Sequence, residues 1–164
     1  MQKIMLNNDW MFGKWQDKAM QERIMGLKPV RLPHSVAIMP LHYSSPQQYE
    51  GTWCYQRTLH DHKQASLQYI LHFEGIGQQA EVYVNGHLCG AHHCGYTAFA
   101  VNVTDYLYED CDSLLTVKAD THEDASIPPF GFVVDYLTYG GIYRNVWLEQ
   151  VSENSIERIA VFAK

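Results

Sequence analysis

From residue 50 onward, apolar and polar residues take turns along the chain. That period of two constrains the fold more than any other feature of the sequence. Leu67, Tyr69, Leu71 and Phe73 fall on one side of Ser66–Glu74, with Gln68, His72 and Glu74 on the other. Ala80, Val82 and Val84 share a side, as do Phe99, Val101 and Val103, then Leu115, Val117 and Ala119. Ile142, Val146 and Leu148 alternate with Tyr143, Asn145 and Trp147, and Ile159 and Val161 repeat the pattern. Successive strand side chains point to opposite faces, so such segments bury one face and wet the other. Trp10–Trp15 and Gly51–Leu59 also read as strands, rich in aromatic residues. Helical patterning is confined to Lys18–Met25, about two turns, and to Thr104–Tyr108, one turn with Thr104 as its cap. The expectation is an all-β domain: an antiparallel β-sandwich of eight or more strands in two packed sheets.

The turns agree with this reading. Asn85-Gly86 follows directly on a strand, and both central residues of a type I′ turn need positive φ. Gly75-Ile76-Gly77 separates two strands, and Glu109–Ser113 is a polar reversal. Thr121–Tyr139, with Pro128-Pro129, lacks alternation and reads as a long loop, a kind that is often functional.

Composition excludes several classes. The chain has 164 residues, 46% of them hydrophobic and 18% charged, which excludes disorder. The length falls short of the roughly 200 residues that a complete (β/α)8 barrel needs. A net charge of −6 with only 12 Lys and Arg, and no basic cluster, argues against nucleic acid. No run approaches the ~20 apolar residues of a membrane span. The four cysteines form no CxxC pair, and the N-terminus has no apolar signal core, so reduced thiols and a cytoplasmic location are expected.

Four strings carry a resemblance. They are Leu32-Pro33-His34-Ser35; Phe73-Glu74-Gly75-Ile76 followed by Ala80-Glu81-Val82-Tyr83-Val84-Asn85-Gly86; His92-His93-Cys94-Gly95-Tyr96-Thr97-Ala98-Phe99; and Gly140-Gly141-Ile142-Tyr143-Arg144-Asn145-Val146-Trp147-Leu148. Their order and spacing resemble the N-terminal sugar-binding domain of family 2 glycoside hydrolases, over essentially Trp10 to Phe162. Ser35-Val36 stand where the family has Asp-Trp, and Cys94 where it usually has Gly. The Gly-Gly-Ile-Tyr-Arg form looks more like β-galactosidases than β-glucuronidases.

The resemblance implies a jelly-roll sandwich like that of galactose-binding domains, over residues 1–152. It implies that residues 153–164 lead into an immunoglobulin-like domain, with a catalytic barrel beyond. It also implies that the parent enzyme hydrolyses terminal β-linked sugars as a homo-oligomer. The partners of this chain would be carbohydrate and the other domains of the same polypeptide. Some relatives use magnesium or sodium; the expectation is that this chain alone binds no cofactor and no metal.

Two residues are implied as substrate contacts. Asn85 offers an amide with two donors and an acceptor, suited to vicinal hydroxyls, besides its place in the turn. Asp135, six residues before Gly141, offers a carboxylate able to accept two hydroxyl hydrogen bonds. Arg144 shares a face with Ile142 and Val146, so a structural ion pair is expected there. His87, Cys89, His92, His93 and Cys94 have zinc-ligand chemistry but not the spacing of structural zinc sites, so loop histidines and buried thiols are expected. The tryptophans are expected to pack, with Trp53 and Trp147 on wet faces against a neighbouring domain. Glu50, Glu74, Glu81 and Asp135 are the carboxylates available for hydrolysis, which needs a pair about 5–9 Å apart. Independent catalysis is not expected. A free-standing carbohydrate-binding module, or a structural domain joining subunits, would fit the same fold.

Overall fold

A computed structural model of the chain describes residues 1–38, 49–128, 130, 140–156 and 160–162. Ten strands run through the described residues: β1 (Gln2–Met5), β2 (Trp10–Lys14), β3 (Lys28–Val30), β4 (Thr52–Leu59), β5 (Leu67–Phe73), β6 (Gln79–Val84), β7 (His87–His93), β8 (Phe99–Asn102), β9 (Ser113–Asp120) and β10 (Val146–Ser152). They form a four-stranded sheet in the order β1-β10-β5-β8 and a six-stranded sheet in the order β3-β2-β4-β9-β6-β7. Every pairing within them is antiparallel. The antiparallel sandwich expected from the alternation is what forms.

The core follows the same alternation. Tyr69, Leu71 and Phe73 from β5 and Val146 and Leu148 from β10 are buried. They meet Tyr55 and Leu59 from β4, Val82 and Val84 from β6, and Leu115 and Val117 from β9. Each such side chain removed from water stabilises the sandwich by roughly 1.5–3 kcal/mol. Trp10 is fully buried and meets Tyr55 edge-on, with centroids 6.3 Å apart.

Four expectations are corrected. The helix expected over Lys18–Met25 is a single 3-10 turn, Asp17–Met20. Gln56 from β4 reaches into the chain that follows it, donating to the carbonyls of Ala19 and Glu22 and accepting from the Ile24 amide. Tertiary hydrogen bonds thus replace the second helical turn.

Thr104 is not a cap. Its hydroxyl accepts from the Tyr69 amide, and Asn102 Oδ1 instead accepts from the Thr104 amide.

The last strand starts at Val146 rather than Ile142, because the chain bends at Arg144. That bend turns Arg144 out to solvent, its guanidinium 5.5 Å from the Tyr143 ring centre. The side chain therefore needs no ion pair, and it makes none among the described residues. Beyond these, β1 and β3 add to the expected strands; each is short and mostly exposed, with little inward alternation to betray it.

Candidate functional site

The four strings quoted above largely meet at one end of the sandwich, around Gly140–Asn145. The amide of His34 donates to the Ile142 carbonyl at 2.8 Å, and that of Val36 to the Gly140 carbonyl at 3.1 Å. Gly77 and Gly141 exchange both backbone hydrogen bonds, at 3.1 and 3.3 Å. Glu74 holds Asn145 three times: its amide donates to the Asn145 carbonyl, and its carboxylate accepts from Asn145 Nδ2 at 2.8 Å and from the Asn145 amide at 3.3 Å. The hydroxyl of Tyr143 donates to the Gly95 carbonyl.

This junction has no space to spare. A Cβ on Gly140 would lie 2.8 Å from Thr121 Cγ2. One on Gly141 would lie 2.9 Å from Val36 Cγ1 and closer still to the Tyr55 hydroxyl. Gly141 also has φ of 95°, which side-chain-bearing residues rarely adopt.

Beside the glycines stands an aromatic wall. Phe12 stacks on Trp53 at 5.3 Å and lies 4.6 Å from His34, whose Nδ1 pairs with the Tyr55 hydroxyl at 2.8 Å. Burial lowers the pKa of His34, disfavouring its charged form. Trp53 is half-buried, covered by the Lys14 ammonium at 3.6 Å, and its Nε1 donates to Thr121.

The rim is acidic. The Glu123 amide donates to Glu50 Oε1, and the Tyr49 hydroxyl donates to Glu123 Oε1 at 3.0 Å. Two buried oxygens near the end of β9, Gln78 Oε1 and Glu123 Oε2, have no hydrogen-bond partner among the described residues. A buried acceptor left so costs about 1–3 kcal/mol, and a donor brought against this end would recover it.

Asn85 lies at the other end of the molecule. β6 runs from Gln79, beside Asp120, to Val84, beside Leu115, so Asn85 follows the strand terminus farthest from Gly141. Asn85 and Gly86 have φ of 51° and 87°, as a type I′ turn requires. The side chain acts as a latch: Nδ2 donates to the Tyr106 carbonyl and Oδ1 accepts from the Leu114 amide, both at 2.8 Å. One amide N–H remains for any other partner. Asp135 lies outside the described residues, though Gly140 follows its segment closely in sequence.

The other candidates take ordinary places. Glu74 is spent on Asn145, and Glu81 accepts from Tyr83 and, at 3.0 Å, from Lys118. Burial raises the pKa of Glu81, but those two hydrogen bonds outweigh it and hold the carboxyl below its usual value. All four cysteines are free thiols, and burial pushes Cys54 up to about 12. Among the described residues no group of three or more His, Cys, Asp or Glu could hold a metal. Trp147 is stacked on His72 at 5.0 Å with Lys3 over its ring. Among the described residues no helix is long and apolar enough to cross a membrane.

Sequence reasoning missed the junction as an assembly. The strings were visible, but their convergence depends on long-range backbone bonds that no local pattern encodes. The unpartnered Gln78 left no signal at all.

The fold and its glycine-pinched junction define an antiparallel β-sandwich domain. The chain matches the family model "Glycosyl hydrolases family 2, sugar binding domain" over residues 8–152, and it belongs to that family. It is 38% identical over 132 residues to a β-galactosidase of Thermoanaerobacter pseudethanolicus, covering 79% of this chain and 18% of that protein. It is 36% identical over 166 residues to a β-galactosidase of Thermoanaerobacterium thermosulfurigenes, covering 98% and 23%. The crystal structure of a Bacteroides uniformis β-glucuronidase superposes with a TM-score of 0.80 at 31% identity, covering 92% of this chain and 18% of that one. The chain thus spans about a fifth of the length of the relatives it matches.

Proposed function

We propose that this chain is the non-catalytic sugar-binding domain of a glycoside hydrolase that releases terminal β-linked sugars, most like a β-galactosidase. In this reading the Gly140–Asn145 end faces the catalytic part of the parent polypeptide, and Asp135 lends its carboxylate to the substrate's hydroxyls. The observation that carries it is the convergence of the family strings on one end that also holds two buried, unpartnered acceptors. The engagement of Glu50, Glu74 and Glu81 in internal hydrogen bonds supports a chain that is inactive by itself.

Asn85 serves this reading through the turn, since its amide already holds two backbone groups. Carbohydrate and the neighbouring domains are the partners, in a homo-oligomeric parent, with any magnesium or sodium held outside this chain.

Steady-state kinetics of Asp135→Ala in the parent enzyme test the reading. Loss of one charge-assisted hydrogen bond worth about 1.5–3 kcal/mol lowers kcat/KM roughly 10–150-fold. Wild-type kcat/KM would refute the contact. Micromolar binding of simple galactosides by the chain alone would favour a free-standing module instead.

A further inference from the structure

At the end away from Gly141, two open concavities share Arg23 and Thr58 as a common wall. One, of about 580 Å³, runs toward Asn85, Tyr108 and Asp112. The other, of about 790 Å³, runs toward Asp9, Pro29 and Arg31. Each has the volume of a small-molecule site, and the shared wall joins them into one trough.

Its charges are arranged in an order. Asp112 stands at one end, accepting from His60 at 2.9 Å and His62 at 3.2 Å. Asp9 stands at the other end, close enough to the half-buried Arg57 guanidinium to favour its charged form. Between them lie two exposed guanidinium groups with no carboxylate partner. Among the described residues Arg23 donates to the Thr58 hydroxyl alone, and Arg31 makes no hydrogen bond or ion pair. The four charges of the lining balance, and the two cations stand between the two carboxylates. Arginine presents a planar fork matched to a carboxylate.

The remaining wall is neutral and mixed in donors and acceptors. Asn85 keeps one amide N–H beyond its two latch bonds, Gln21 offers a second amide, and Tyr108 is 48% exposed. Such a set suits hydroxyls, with a phenol ring for the apolar face of a pyranose. An acidic peptide, charged along its length, would meet Asp112 and Asp9 at the two ends and be repelled.

We propose that this trough is an accessory site for an acidic oligosaccharide: one uronate carboxylate bound between Arg23 and Arg31, with neutral rings extending toward Asn85 and Tyr108. It is separate from the Gly140–Asn145 end and does not depend on Asp135.

The test is calorimetric titration of the 164-residue chain, at low salt, with a xylobiose bearing one glucuronate ring. Xylotriose, sodium glucuronate and a hexaglutamate peptide are the comparison ligands. The acidic trisaccharide binds at least about tenfold tighter than xylotriose, because one charge-assisted hydrogen bond is worth about that factor. It also binds more tightly than glucuronate alone, through the neutral rings. Arg31→Gln, at an exposed side chain without partners, loses that tenfold preference while its circular dichroism spectrum stays unchanged, and Asp135→Ala keeps it. Equal binding of xylotriose and the acidic trisaccharide overturns the proposal. So does an Arg31→Gln variant with undiminished affinity, or tighter binding of the hexaglutamate peptide, which would mark a protein contact instead.

Discussion

The two ends of β6 solve opposite problems with the same kind of residue. At Asn85-Gly86 the chain reverses with positive φ at both positions, and the asparagine amide ties the turn to Tyr106 and Leu114. That end closes its own hydrogen bonds, with the amide reaching 21 and 29 residues along the chain. At Gly77 and Gly141 the glycines let two distant backbones touch, with His34, Tyr55 and Val36 pressed against them. That end depends on four separate stretches of chain and still leaves two buried acceptors unpaired. A self-contained end can be a fixed support, whereas an end with unmet hydrogen bonds is one that a neighbour completes.

The sharpest way to break this contrast is Gly141→Ala. The new methyl would meet Tyr55 and Val36, and the residue would keep a strained φ. Overpacking and strain cost about 1–3 kcal/mol each, so a combined loss of roughly 2–6 kcal/mol is expected. A denaturant midpoint close to wild type would mean that the junction is looser than described.

Asn85→Ala comes next, at about 2 kcal/mol, because it leaves the Leu114 amide without its acceptor and puts alanine at positive φ. Asn85→Gly separates the two causes: it relieves the backbone but not the latch, so it should recover only part of the loss. Full recovery in a thermal melt would show the latch to be idle.

The pH response separates the ends less strongly. His34, at the junction, has its folded pKa lowered by burial. The unfolded chain therefore binds more protons, and the contribution is present above the unfolded value near 6.5 and lost as pH falls through the folded value. His34→Gln should flatten the stability profile below about pH 6.5, read from denaturant midpoints across pH. Glu81 behaves alike but lower: its stabilisation is present above the usual carboxylate pKa and fades as pH falls through its depressed folded value. Arg144→Ala is the small effect, within about 0.5 kcal/mol, since the side chain is exposed and only borders Tyr143.

How much of this could be read beforehand differs between the two ends as well. The Asn85 turn was fully legible, because a type I′ reversal is encoded by two adjacent residues. The β5, β9 and β10 core faces were legible through their alternation. The Arg144 expectation failed because it assumed that the strand began at Ile142; a bend of one residue moved the guanidinium from core to solvent. The assignment of a sugar contact to Asn85 came from the family strings, and the same strings, folded, place that residue at the far end of β6 from Gly141. Local chemistry is written in short stretches, while the meeting of Gly77, Gly141 and His34 is a property of the whole topology.

The outermost strands of the larger sheet carry a consequence for solubility. β3 is only three residues long, and its central Pro29 has no N–H to offer an incoming chain. At the opposite rim, β7 pairs Gly90 with Val82 but Leu88 with Tyr83, leaving Cys89 as an extra residue that bulges and twists the margin. Growth of the larger sheet by an added strand is therefore disfavoured at either rim.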